Sequence, residues 1–456
     1  MSIVSDVRAA FGSAPEIDGE YGRIDRAMKI YRGNAPWLRV KRSGLHSRGE
    51  RRMFSMNTAK AAADELAALV ICEGAEFFTD VPEYTAYINE VLEENGFHAL
   101  LPDFFSKAFM SGGGAVTVKA GDGFPELSVI SAENFLPVSW NSREITEAVF
   151  RTGYSENGRL YTLLERFSSD ENGCPVTERR LFQKERFGAA LGSEIHEAGG
   201  VFEYRGVTGK LFSCFRPAVS GGYDGSPVGC GVMDFALDTL RALDIAFDSM
   251  AREFILGKKR IIVPYSCIRT VTDPETGAAV RYFDADDEAF VALKTEDRSD
   301  LQIADNTCVL RIDEHVSAIK ALLNILCFQL GISSEALAFD SVRGLKTIKT
   351  ATEVISQDSK TARTVHVNRK MADAFFKGLA EAIISAGICT GRLTPKPYSV
   401  TIGWKDGVII DDGTVISENI RLVEAGLRSR EKAVMEINKC DKTAAELELS
   451  AVAEGR

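Results

Sequence analysis

The most ordered set of ionisable residues in this sequence is a run of aspartates, Asp234, Asp238, Asp244 and Asp248. At about 100° per residue they fall within roughly a third of a helix circumference, and Arg241 and Arg252 share that face. Such a face is ordinarily the solvated side of an amphipathic helix. It can also form a wall of net negative charge, which repels nucleic-acid phosphates and lets a polyanion pass without sticking. Opposite in sign is the stretch with Arg343, Lys346 and Lys349. It reads as a surface loop, or as phosphate contacts that are weak singly and gain strength by repetition.

Catalytic constellations are absent from the sequence. No GxxxxGK[ST] occurs, and Gly209-Lys210 lacks both the loop before it and the Ser or Thr after it. There is no HExxH and no GxSxG. The five histidines, His46, His98, His196, His315 and His366, share no metal-ligand spacing. The densest acidic cluster, Asp284–Glu288, reads as a solvated loop. Ser111-Gly112-Gly113-Gly114-Ala115 could cradle a phosphate, but no Lys-Ser/Thr follows, so a tight helix-to-strand turn is the better reading. Nine cysteines are scattered singly with no CxxC, as expected of small buried thiols in a reducing compartment rather than a zinc or redox site. No catalytic residue, metal or other cofactor is expected, and a metal-dependent nuclease or ATPase assay should give background only.

At 456 residues the chain is long for one core, so two to four domains are expected. Its 45% apolar content suits a folded protein, and its net charge of −11 argues against simple coating of nucleic acid. Met1–Asp6 lacks the blocks of a signal peptide, and no stretch is apolar enough to span a membrane. A start in a cytoplasm is expected.

Residues 1–55, basic in places, read as an irregular arm. Helices are predicted from Asn57 to Val70, over Tyr84–Asn95 and over Leu101–Met110, followed by a strand at Val116–Lys119. Residues 127–215 read as antiparallel strands (Leu127–Ile130, Glu147–Tyr154, Leu160–Phe167, Leu211–Phe215) separated by Asn-Gly turns. The strongest periodicity follows: Met233, Leu237, Leu240, Leu243, Phe247, Met250 and Phe254 predict a helix from Gly231 to Leu256, roughly 39 Å long at 1.5 Å per residue. Gly257 ends it, beside Lys258, Lys259 and Arg260, which suit a helix C-terminus. Strands are predicted at Arg260–Val263, Val280–Phe283, Ala289–Leu293 and Cys308–Arg311, making 258–312 a small β-rich insert. A helix over Glu314–Leu330 returns antiparallel to the first. A loop, Gly331–Lys349, precedes a long helix from Thr350 to Ala386. A strand at Ser399–Trp404 and a helical tail complete an α+β chain.

Several stretches carry a family likeness. They are Met56-Asn57-Thr58-Ala59-Lys60, the glycine turn at Ser111–Ala115, Ala132-Glu133-Asn134-Phe135-Leu136-Pro137-Val138-Ser139-Trp140, and Ala236–Ser249 running into Glu253-Phe254-Ile255-Leu256-Gly257-Lys258-Lys259-Arg260. Gly344-Leu345-Lys346-Thr347 and Thr350-Ala351-Thr352-Glu353-Val354 continue the series. In this order, over most of the chain, they resemble the portal proteins of long-tailed bacteriophages infecting Gram-positive bacteria. The resemblance implies a portal fold with wing, long-helix stem, β-rich clip and helical crown, assembled as a homo-oligomeric ring, usually of twelve. It implies an N-terminal arm (1–55), a wing (56–227), a first stem helix (228–257), a clip (258–312), a second stem helix (313–331), a tunnel loop (332–349), a wing segment with the long helix (350–410) and a short crown (411–456). Arg343, Lys346 and Lys349 would be the tunnel-loop contacts. Asp234, Asp238, Arg241, Asp244, Asp248, Lys258, Lys259 and Arg260 would line the channel along the stem. The implied partners are double-stranded DNA held transiently and without sequence preference, the terminase large subunit, the major capsid and scaffolding proteins and a head-completion or adaptor protein, with no membrane. The implied location is the capsid vertex of a virion, reached from the host cytoplasm. The competing reading is a head-morphogenesis or adaptor protein with no channel.

Overall fold

The structure is a computed structural model. It describes residues 2–44, 47–71, 74–121, 123–141, 144–184, 190–221, 225–257, 261–262, 269–272, 277, 279–282, 304–305, 309–337, 351–404, 419–426, 428–438 and 449.

Residues 1–55 are not an irregular arm. Ile3, Val4 and Val7, and then Ile24, Met28 and Tyr31, recur at helical spacing and are buried, so the segment folds into α1 (Ile3–Phe11) and α2 (Asp18–Tyr31). Ser2 caps α1 by accepting the Val4 N–H at 3.3 Å. The high charge density of the segment masks these stripes in the sequence. A hairpin follows, β1 (Arg39–Gly44) paired antiparallel with β2 (Ser47–Arg52).

The first globular layer holds α3 (Thr58–Ile71), β3 (Ala75–Thr79), α4 (Pro82–Glu94) and α5 (Phe97–Ser111). Pro82 sits in the first turn of α4, where its missing N–H costs nothing. Asn57 does precede α3, but its side-chain amide donates to the Tyr31 carbonyl at 3.4 Å instead of capping.

Strands β4 (Gly114–Lys119), β5 (Glu126–Ser131), β6 (Phe135–Trp140), β7 (Ile145–Glu156), β8 (Arg159–Ser169), β9 (Pro175–Lys184), β10 (Ser193–Glu194), β11 (Gly200–Glu203) and β12 (Phe212–Phe215) follow. β6 to β11 form a six-stranded antiparallel sheet, and β12-β4-β5 a second sheet. Asn157 (φ 50°) and Gly158 (φ 75°) turn β7 into β8, the positive angles a tight hairpin demands.

α6 (Leu237–Leu256) and α7 (Ile312–Leu330) are the predicted helix pair. They run antiparallel, since Glu253 near the end of α6 accepts two bonds from Arg311, at 3.1 and 3.0 Å, just before α7. Between them, β13 (Ile261–Ile262) pairs with β16 (Ala304–Asp305), and β14 (Arg269–Thr272) with β15 (Ala279–Tyr282). The predicted strand Ala289–Leu293 lies outside the described residues. The described part of Cys308–Arg311 is not a strand. Leu310 lies against Gly257 and Arg311 is tied to Glu253, so this segment closes the base of the helix pair.

α8 (Ala351–Cys389) is 39 residues long, or roughly 58 Å at the usual rise, and β17 (Val400–Trp404) returns to pair with β3. A further helix spans Arg430–Asn438. The core is aromatic. Phe105 of α5 lies 4.6 Å from Phe215 of β12 and 6.0 Å from Phe376 of α8, ring centre to ring centre.

Candidate functional site

α6 begins at Leu237, not Gly231, because Asp234 accepts the Gly231 N–H at 2.7 Å and closes a separate turn. Arg23 of α2 reaches the same carboxylate at 2.7 Å and the Gly229 carbonyl at 2.6 Å. Burial raises the Asp234 carboxyl, and the Arg23 charge opposes that rise.

Further along, Asp244 and Asp248 are buried. Asp244 accepts the Trp37 indole N–H at 2.8 Å and the Ser55 hydroxyl at 2.7 Å. Asp248 takes a two-pronged bond from the Arg51 guanidinium, at 2.6 and 2.7 Å, plus the Phe54 N–H at 3.0 Å. Arg51 thereby holds the Asp248 carboxyl below its usual range, and the backbone N–H adds to the effect. The expected solvated acidic wall is therefore corrected at three positions: Asp234, Asp244 and Asp248 bind the chain's own N-terminal segment. Asp238 and Arg241 are exposed. Sequence reasoning does not find the partners Arg23, Trp37, Arg51 and Ser55. The only signal of them is the basic run containing Arg51, in a chain whose helix carries spare aspartates.

The rest of the α6–α7 surface is apolar to a degree unusual for solvent contact. On α6, Ile245 is 46% exposed, and Phe254, Ile255 and Leu256 are each about half exposed. On α7, Ile325 is 48% and Phe328 75% exposed.

The family described as phage portal protein, SPP1 Gp6-like, matches residues 15–454. The chain belongs to this family. Two solved structures are also similar to it. One is a chain from the virion of a native gene transfer agent particle, at 11% identity and a TM-score of 0.43, with 96% of this chain and 99% of that one covered. The other comes from the neck of an empty gene transfer agent particle computed with C6 symmetry, at 11% identity and a TM-score of 0.45, with the same coverage. No curated protein matches.

As a member of the portal family the chain has a mixed α/β architecture in which helices and antiparallel sheets share one core. Arg343, Lys346 and Lys349 lie outside the described residues, as do Lys258, Lys259 and Arg260. Among the described residues no group of three or more His, Cys, Asp or Glu could hold a metal, and no helix is long and apolar enough to cross a membrane. The described cysteines are free, and burial pushes the Cys214 thiol up to about 12. The glycine triplet is a close-packed turn. A Cβ on Gly112 would lie 2.1 Å from the Gly229 carbonyl oxygen, which leaves no room for a bound phosphate at that point.

Proposed function

We propose that this chain is the subunit of a portal ring, usually of twelve copies, at one vertex of a phage capsid. Double-stranded DNA enters, is retained and leaves through its central channel. The family match over residues 15–454 carries the reading. The exposed apolar flanks of α6 and α7 support it, because a lone subunit has nothing to cover them with.

In this reading 56–227 and 350–410 form the wing, 228–257 and 313–331 the stem, 258–312 the clip, 332–349 the tunnel loop and 411–456 a small crown. The clip docks the terminase large subunit during packaging and a head-completion or adaptor protein afterwards. The wing meets major capsid and scaffolding proteins. The virion is proposed to be that of a long-tailed phage of a Gram-positive host. DNA contacts are assigned to Arg343, Lys346 and Lys349, with Asp238, Lys258, Lys259 and Arg260 along the stem.

Electron micrographs of the purified protein are expected to show annuli with a central hole. Reversing Lys346 and Lys349 to glutamate should leave the annuli intact and lower packaged DNA per particle by about tenfold or more, on the order expected when several repeated phosphate contacts turn repulsive. Unchanged packaging with intact particles would favour the adaptor reading.

A further inference from the structure

The helix pair has two unlike flanks. On α7, Leu323, Leu326 and Leu330 face inward, and the opposite side shows Glu314, Ala318, Ala321, Ile325 and Phe328. On α6, Leu240 and Leu243 face inward, and the opposite side shows Arg241, Ile245, Ser249, Arg252 and Leu256. The N-terminal hairpin borders this second flank, because Phe54, itself 48% exposed, is bonded through its N–H to Asp248. The two helices pack through their inward faces, so the exposed stripes lie on opposite sides of the pair.

The stripes complement one another. The α7 stripe is small and apolar at Ala318 and Ala321, and acidic at its start, where Asp313 and Glu314 are exposed. The α6 stripe carries a branched apolar residue at Ile245 and arginines at Arg241 and Arg252. Within one chain the helices are antiparallel. A copy rotated about a common axis therefore lays its α6 antiparallel to this α7. Aligning Arg252 with Glu314 puts Ile245 beside Ala321, and Arg241 beside Ile325 and Phe328. Small residues then admit a large one, and the Arg241 guanidinium lies over an aromatic ring.

We infer that the exposed stripe of α7 on one copy seats against the α6 stripe and Phe54 of the next copy, with Glu314 and Arg252 setting the register. The joint is head-to-tail, since the two surfaces differ, and a head-to-tail joint that closes on itself does so as a ring. This rests on the ring reading and moves Arg241 from the channel wall to the seam. The clamp on Asp244 and Asp248 acquires a purpose as well, since it holds Phe54 at the edge of the joint.

The test uses the full-length chain and charge exchange. Arg252→Glu and Glu314→Arg should each raise the concentration needed for half assembly by about tenfold, measured by mass photometry at low salt. The double variant should recover most of that loss. Circular dichroism melts of the unassembled fractions should overlay the parent. Phe328→Asp should leave folded monomer at concentrations where the parent is assembled. Rings that form equally well in all variants overturn the seam and leave the ring reading standing. A double variant no better than the singles also overturns the seam, and a parent protein monomeric at every concentration overturns both.

Discussion

Arg51→Ala is expected to release the N-terminal hairpin from α6 and to cost about 3 kcal/mol of stability, within the range for stranding one member of a largely buried ion pair. Asp248 is only 6% exposed in its side chain, and the substitution removes both guanidinium bonds while the Phe54 N–H stays in place. The carboxylate is then desolvated without its cation. Arg51→Lys should recover a minor part, because an ammonium cannot reproduce the two parallel bonds that the guanidinium makes. Asp248→Asn, which removes the charge along with the acceptor, should cost less than Arg51→Ala. Chemical denaturation of the three variants checks the order. Equal losses in all three would sink the claim that the stranded charge dominates.

The same clamp fixes a pH dependence. Arg51 depresses the Asp248 carboxyl below its ordinary value of 3.8. A depressed carboxyl holds its proton less tightly in the folded chain than in the unfolded one. The stabilisation is therefore complete above about pH 4 and is lost as the pH falls through the folded value. Arg51→Ala should flatten this part of the stability curve between about pH 5 and pH 3, and unfolding midpoints across that interval check it.

The regular elements are legible where apolar periodicity is uninterrupted. α8 is expected over Thr350–Ala386 and spans Ala351–Cys389, because Met371, Phe375, Phe376, Leu379 and Ile383 mark one inward face. α7 and the β7–β8 hairpin are equally plain. Boundaries fail where a side chain forms a local bond. Met233 sits at the right spacing for α6, yet Asp234 closes a turn there and the helix starts later. The clamp is illegible for a different reason. An aspartate stripe looks the same whether water or an arginine covers it, and the covering residues Trp37 and Arg51 lie about two hundred positions earlier. Charge pattern locates a face on a helix but not what faces it. Long-range pairing of this kind enters only with the fold.

Gly112→Ala is expected to abolish soluble protein. Gly112 has φ 95°, where an L side chain is strained. The space is also filled: its Cβ would meet the Gly229 carbonyl oxygen at 2.1 Å and its carbon at 2.7 Å, both backbone atoms that no rotamer change can move aside. The crossing cannot be loosened locally. Val232 donates to the Phe109 carbonyl at 2.8 Å, Gly231 crowds the Met110 carbonyl, and Arg23 bonds both the Ser111 and Gly229 carbonyls. The turn after α5 is thereby pressed onto the segment that leads into α6, and the glycine sets the angle at which the helix pair leaves the core. Strain and collision together should exceed about 4 kcal/mol, a large part of a typical domain's total stability. Gly123→Ala is the control. A methyl group added at Gly123 would have no heavy atom within 4 Å, and the backbone there has no positive φ, so its melting temperature should match the parent. If Gly112→Ala melts within a few degrees of the parent, the crossing is more compliant than these contacts allow, and the orientation of the α6–α7 pair must be set elsewhere.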